Sequence, residues 1–371
     1  MKEGKISGID LIIKLDNKSR DLRTSSFDIS FGELVNKYRD DELIIQPDFQ
    51  RLFRWSEAKQ SRFIESMLLE LPIPPFFLIE NDDGKLELID GLQRISSYLH
   101  FIGILPDCDS LVLTECDIIP ELNGISYRDL PTALQLKLKN RYVRLEIVKR
   151  GSDSRLRYYM FKRLNTGGES LSAQEIRNST IRILDDKFNR FLIDLSRNED
   201  FRNCLSTLTE DKILEKYDQE LVLRFFAFKN NKGNFKHNIS DFMTEYMEAV
   251  SDPERSDVLF DYTWEESAFK KTFRILNETL GEYSFSRVNE RGTYVLGFIV
   301  YHYEAFTLGI QKHLPDIDLS NPIQIKKIAE EFASIKRDPQ FREITTGGGR
   351  NTKRYIDDRI AFVEQRVGKT I

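Results

Sequence analysis

Cysteine and histidine are scarce in this 371-residue chain, which has three cysteines (Cys108, Cys116, Cys204) and four histidines (His100, His237, His302, His313). The cysteines are odd in number and show no Cys-x-x-Cys spacing. That argues against a disulfide-stapled scaffold and for reduced thiols. None of the histidines stands in a zinc-type context. No run reaches the ~18 apolar residues of a membrane span, and Met1-Lys2-Glu3-Gly4 opens no signal-type apolar region. The formal net charge of -5 argues against a protein that coats nucleic acid by bulk charge, while leaving room for a local basic surface. These absences lead to the expectation of a soluble cytoplasmic protein without a membrane partner.

What is present is ordinary for a globular chain: 40% hydrophobic and 31% charged residues, with a length that suits about two domains. The first 24 residues are polar and read as an arm. Strands are expected at Phe27–Ile29, Leu43–Ile45, Phe76–Ile79, Lys85–Ile89 and Tyr142–Val148, with a weaker one at Leu111–Leu113. Ser30 with Glu33, Ser56, and Ser172 with Glu175 are helix-start signals, and Thr132–Asn140 reads as a helix. Beyond residue 180 helical stripes follow one another, including Tyr294–Leu308 and Ile323–Ile335. The expectation is an α/β domain over 25–180 and an all-helical domain over 181–371.

The stretch with most chemistry is Leu86-Glu87-Leu88-Ile89-Asp90-Gly91-Leu92-Gln93-Arg94. A returning hairpin strand turns through Asp-Gly into a helix whose apolar positions are Ile95, Tyr98, Leu99 and Ile102. A helix start offers unpaired N–H groups and partial positive charge to an anion. Gly91 lets a phosphate approach the backbone, and Arg94 adds a guanidinium. The plain alternative is a common turn with a solvated arginine.

Four segments occur in order: Pro47-Asp48-Phe49-Gln50-Arg51 with Trp55, then Pro72-Ile73-Pro74, then Asp90-Gly91-Leu92-Gln93-Arg94. The fourth is Phe161-Lys162-Arg163-Leu164-Asn165-Thr166-Gly167-Gly168, leading into Leu171-Ser172-Ala173-Gln174-Glu175-Ile176-Arg177-Asn178. Together they resemble the N-terminal domain family of GmrSD-type restriction systems, a family of ParB/sulfiredoxin-like fold. The resemblance covers residues 25 to 180 well and the helical half more loosely. It implies a nucleotide-handling module of defence against foreign DNA, whose Asp-Gly-Gln-Gln-Arg motif is tied to nucleotide hydrolysis. Leu92 departs from that pattern where the first Gln is usual. No histidine has a His-Asn-His context, so the chain is expected to lack the HNH nuclease domain of restriction members.

The resulting expectation is a nucleoside triphosphate with Mg²⁺ at the helix start. Asp90, Gln93 and Arg94 are the catalytic candidates, with Asp90 as metal ligand or water-orienting base. Gly91, Gln50, Arg51, Arg163 and Asn165 are the nucleotide-binding candidates. For Arg51 a salt bridge, and for Asn165 a helix C-cap, are equal alternatives. Lys137 to Arg163 carries ten basic residues against Glu146 and Asp153, a surface suited to phosphate backbone through Arg141, Arg144 and Arg155. Arg350 and Lys353 follow Gly347-Gly348-Gly349 in a basic loop that lacks the Gly-Lys-Ser/Thr ending of a P-loop. Rival readings are a non-catalytic DNA-binding or partner-binding module, a nuclease acting through the same pocket, and a partner of a separate effector or nuclease subunit. The letters Pro47-Asp48 and Asp83-Gly84-Lys85 match a PD-(D/E)xK nuclease. That chemistry needs the carboxylate and lysine side by side on a strand, whereas Asp83-Gly84 reads as a hairpin tip, so the match is read as chance.

Overall fold

The computed structural model describes residues 8–12, 16, 21, 23–45, 55–105, 108–153, 156, 158–160, 172–236, 238–255, 258–289 and 291–371. The chain divides into two compact units, Met1–Gly168 and Glu169–Ile371. The sequence places the boundary near residue 180. In the structure the helix Ala173–Ile181 lies in the second unit, because its buried residues find their partners there.

The first unit is built on a mixed five-stranded sheet in the order β1-β5-β3-β4-β2: β1 Thr24–Ser30, β2 Leu43–Ile44, β3 Phe76–Glu80, β4 Leu86–Asp90 and β5 Tyr142–Val148. β1 and β5 are antiparallel, β5 and β3 parallel, β3 and β4 a hairpin, and β4 and β2 parallel. Helices packed with it include α1 Phe31–Arg39, α2 Glu57–Leu68, α3 Leu92–Phe101 and α4 Thr132–Asn140. Alternate strand residues (Ile29, Leu78, Leu88, Val143, Leu145, Ile147) share one core with Phe31, Leu34, Ile64, Met67, Ile95, Leu99 and Leu138 from the helices. Phe31 sets its ring edge against Tyr98 at 4.9 Å and Phe76 at 6.0 Å, joining α1, α3 and β3.

The helix starts follow the sequence signals. The Ser30 hydroxyl accepts the Glu33 N–H at 3.1 Å, and that of Ser56 accepts Lys59 N–H at 3.3 Å. The tip of the β3–β4 hairpin is formed by Asn81 to Lys85, with Gly84 at φ +84°. Asp83 accepts the Lys85 N–H at 3.1 Å, and the Lys85 amine pairs with Asp41 at 2.5 Å. Leu111–Leu113 forms no strand; it supplies one isolated bridge, Val112 to Ser126.

The second unit is mostly helical. Its core is aromatic, with Phe201, Phe225, Phe226, Phe269 and Phe273 packed ring to ring. The stripe expected over Tyr294–Leu308 begins instead as a short hairpin, Arg287–Val288 with Tyr294–Val295, and the helix starts at Val300. Among the described residues, no helix is long and apolar enough to cross a membrane.

Candidate functional site

The hairpin delivers Asp90 to the start of α3, as the alternation of Lys85–Ile89 implied, with one feature the alternation does not show. Leu78 pairs with Leu88, but Phe77 pairs with Asp90, so Ile89 is an extra residue on β4. Such a bulge re-aims whatever follows it. In an unbroken ladder Asp90 would share the core-facing side of Leu88, two residues earlier. The bulge moves it to the side of Phe77 and leaves its carboxylate half exposed (46%).

Gly91 then caps α3 at φ +109°, ψ 5°, a left-handed conformation that favours glycine. A Cβ there would also lie 2.6 Å from Cδ1 of Phe76. The first turn of α3 has no side-chain cap. Among the described residues, the N–H groups of Leu92 and Arg94 have no hydrogen-bond partner, as is usual for donors in the first turn of a helix.

Arg94 is not a free cation. Its Nη2 donates to Asp90 Oδ2 at 2.8 Å, its Nη1 to the carbonyls of Pro74 and Pro75, and the guanidinium carbon sits 4.9 Å from the Phe76 ring centre. The side chain is 12% exposed. Burial pulls its pKa below the usual arginine value, against the opposing pull of the Asp90 carboxylate. Arg94 therefore orients Asp90 and fixes the connector into β3. Arg141 grips the earlier part of that connector, donating to the carbonyls of Glu70 at 3.0 Å and Leu71 at 2.6 Å. Among the described residues, Asp90 Oδ1 has no hydrogen-bond partner.

Gln93 points to the segment before α2: its Oε1 accepts the Trp55 N–H at 3.0 Å. The Trp55 carbonyl is held by Gln60 Nε2 at 2.9 Å, and Gln60 Oε1 lies 2.9 Å from His100 Nδ1. Gln60 and His100 are buried, and sequence reasoning missed both as site supports. A polar residue on the apolar face of α2, beside Ile64 and Met67, was the available signal. The Trp55 ring packs edge-on against Phe63 at 5.9 Å with the Lys59 amine 4.9 Å from its centre, a packing role for this aromatic.

The structure brings together Asp90, Gly91, Gln93 and Arg94. Gln50, Arg51, Arg155, Arg163 and Asn165 lie outside the described residues. Arg144 sits on the exposed side of β5, paired with Glu146 at 3.0 Å and Asp28 at 3.4 Å. In the second unit, Arg350 bonds Thr346 O at 3.2 Å and stacks 4.3 Å from the Tyr355 ring centre, while Lys353 donates to Gly233 O at 2.9 Å. The basic residues named for nucleic-acid contact thus have local partners wherever they are described.

The Ser172–Glu175 capping box forms as expected, with Glu175 N–H to Ser172 Oγ at 3.2 Å and Ser172 N–H to Glu175 Oε2 at 2.9 Å. It opens α5 (Ala173–Ile181), whose Arg177 is buried in the second unit. There Arg177 donates to Thr244, Gln174, Glu220 and Ser240 at 2.9–3.1 Å. The segment Ser172 to Asn178 is therefore held within the second unit by polar contacts of its own side chains.

Residues 31–182 match the family described as "GmrSD restriction endonuclease, N-terminal domain". The match runs from the first residue of α1 to the cap of α5. No curated protein and no solved structure matches the chain.

Proposed function

Residues 31–182 belong to the family of GmrSD restriction endonuclease N-terminal domains, and on that premise we propose that the chain serves in a restriction or anti-phage system and that the open end of α3 binds a nucleoside triphosphate for Mg²⁺-dependent hydrolysis. The observation that carries this reading is that, among the described residues, the N–H groups of Leu92 and Arg94 in the first turn of α3 and the Oδ1 of the preceding Asp90 have no hydrogen-bond partner. Amide donors at a helix start suit phosphate oxygens, and a half-exposed carboxylate suits a metal ion or an attacking water.

Among the described residues, no group of three or more His, Cys, Asp or Glu could hold a metal ion. Mg²⁺ takes one or two carboxylates and completes its shell with waters and substrate phosphates. Asp90 would hold it, and the ion would neutralise charge on the phosphates. Arg94 acts here as a positioning residue for Asp90, and Gln93 as an anchor for Trp55. Gln50, Arg51, Arg163 and Asn165 are proposed as further nucleotide contacts, and a separate effector or nuclease subunit as the recipient of the signal.

The test is a thermal-shift and phosphate-release assay on the full chain with each common nucleoside triphosphate, with and without Mg²⁺. Ligand that binds only folded protein must raise the melting temperature. We expect one or more triphosphates to do so and to be hydrolysed, and Asp90→Asn to stop phosphate release while the protein stays folded. A wild-type chain that neither binds nor turns over any nucleotide ends this reading.

A further inference from the structure

The sheet of the first unit has two unlike edges. β2 presents two residues, whereas β1 presents seven, Thr24–Ser30. Long edge strands are usually blunted by lysine, proline, a bulge or a covering segment. β1 reads Thr-Ser-Ser-Phe-Asp-Ile-Ser, with no lysine or proline, and its ladder to β5 runs from Thr24–Val148 to Ser30–Tyr142 without a shift. Thr24, Ser26, Phe27 and Asp28 are exposed, so the strand is not covered either.

The ladder also fixes which backbone groups are free. Phe31 N–H donates to Arg141 C=O at 2.9 Å and Lys149 N–H to Arg23 C=O at 2.8 Å. In an antiparallel pair such exchange recurs at every second residue, so Ser25, Phe27 and Ile29 bond to β5. Thr24, Ser26 and Asp28 turn their N–H and C=O groups outward, and among the described residues none of these groups has a recorded bond.

We propose that β1 pairs antiparallel with β1 of a second copy of this chain, about a two-fold axis through Ser26, joining two five-stranded sheets into one. The strand complements itself in this register. Outward-turned residues must face outward-turned residues, so Ser26 meets its own copy and Thr24 meets Asp28. Phe27 then stands opposite Ser25, and Arg23 opposite Ile29. Asp28 is the only charged residue of the strand and already pairs with Arg144 on its own chain at 3.4 Å. No carboxylate faces a carboxylate across the axis, and a two-fold interface requires only one patch that fits itself.

The test is analytical ultracentrifugation of the full chain over a roughly 100-fold concentration range, with amide hydrogen exchange in parallel. A monomer–dimer equilibrium is expected. Exchange at Ser26 and Asp28 should slow as concentration rises, while Phe27, bonded to β5, stays protected throughout. Ser26→Pro removes an N–H that faces away from β5, a place where an edge strand tolerates proline, and should weaken association about tenfold or more. Ser26→Ala loses the hydroxyl bond to Glu146 but keeps the N–H, and should associate as wild type does. Circular dichroism melts establish that both variants fold; if Ser26→Pro does not, the wild-type exchange data decide alone. A chain that is monomeric over the whole range, including one that pairs only with an added peptide, overturns the proposal. So does a dimer whose Ser26 and Asp28 amides exchange independently of concentration, or one that a folded Ser26→Pro variant leaves intact.

Discussion

The side-chain carbonyl of Gln93 accepts the backbone N–H of Trp55 at 3.0 Å, tying the first turn of α3 to the residue that follows segment 46–54. Gln60 takes the carbonyl of the same residue, so both backbone polar groups of Trp55 are held by side chains from two helices. Whatever Gln93 does toward a nucleotide, it first sets where this part of the chain enters α2.

Replacing Gln93 tests that role. Gln93→Ala should cost the first unit about 1 kcal/mol, the usual worth of one hydrogen bond, and Gln93→Glu should recover most of it because a carboxylate still accepts the N–H. Urea unfolding of the two variants beside wild type reads the difference.

Gly91→Ala should be more damaging. The new methyl would have to occupy φ +109° and lie 2.6 Å from the Phe76 ring, costing about 3 kcal/mol from backbone strain and overpacking together. Adding Phe76→Leu should relieve the clash but not the strain, so the double variant should recover only part of the loss. Denaturant midpoints give both numbers.

Arg177→Met should destabilise the second unit by about 3 kcal/mol or more, because Glu220 loses its 3.1 Å partner and three polar side chains lose a donor. Because α5 closes the family-matched region, the loss should show as a lower melting temperature and as faster proteolysis near Ser172.

His302 is buried and its Nδ1 lies 3.2 Å from the Ser286 carbonyl. Burial, aided by the Lys336 charge, holds its pKa well below the ordinary histidine value. The unfolded chain therefore binds a proton first as pH falls. Stability contributed by the neutral ring is complete above pH ~6.5 and declines as pH drops toward the folded pKa, by at most ~1.4 kcal/mol per pH unit. Melting temperatures from pH 8 to 5 should fall more steeply for wild type than for His302→Gln.

Local signals located most of the first unit. The apolar run at Phe76–Ile79, the alternation at Lys85–Ile89 and Tyr142–Val148, the serine caps at Ser30, Ser56 and Ser172, and the Asp-Gly turn into α3 all lie in the elements expected of them. The two-residue strand at Arg287–Val288 was not legible because its pairing with Tyr294–Val295 leaves no period to read. The role of Arg94 was not legible either. As a residue in a first turn it fits a phosphate ligand, yet its partners Pro74 and Pro75 in the connector and Phe76 at the start of β3 lie about twenty positions earlier.

The sequence by itself determined the elements and their order: a hairpin strand, a glycine without a side chain, and a helix with an uncapped start. Those depend on residue size, backbone freedom and hydrophobic period within a few positions. Only the tertiary structure decided which way Asp90 faces, what Arg94 holds and why Gln93 is there. Each of those rests on a strand register or a hydrogen bond between segments far apart in the chain, and the geometry that joins them exists only after the core has formed.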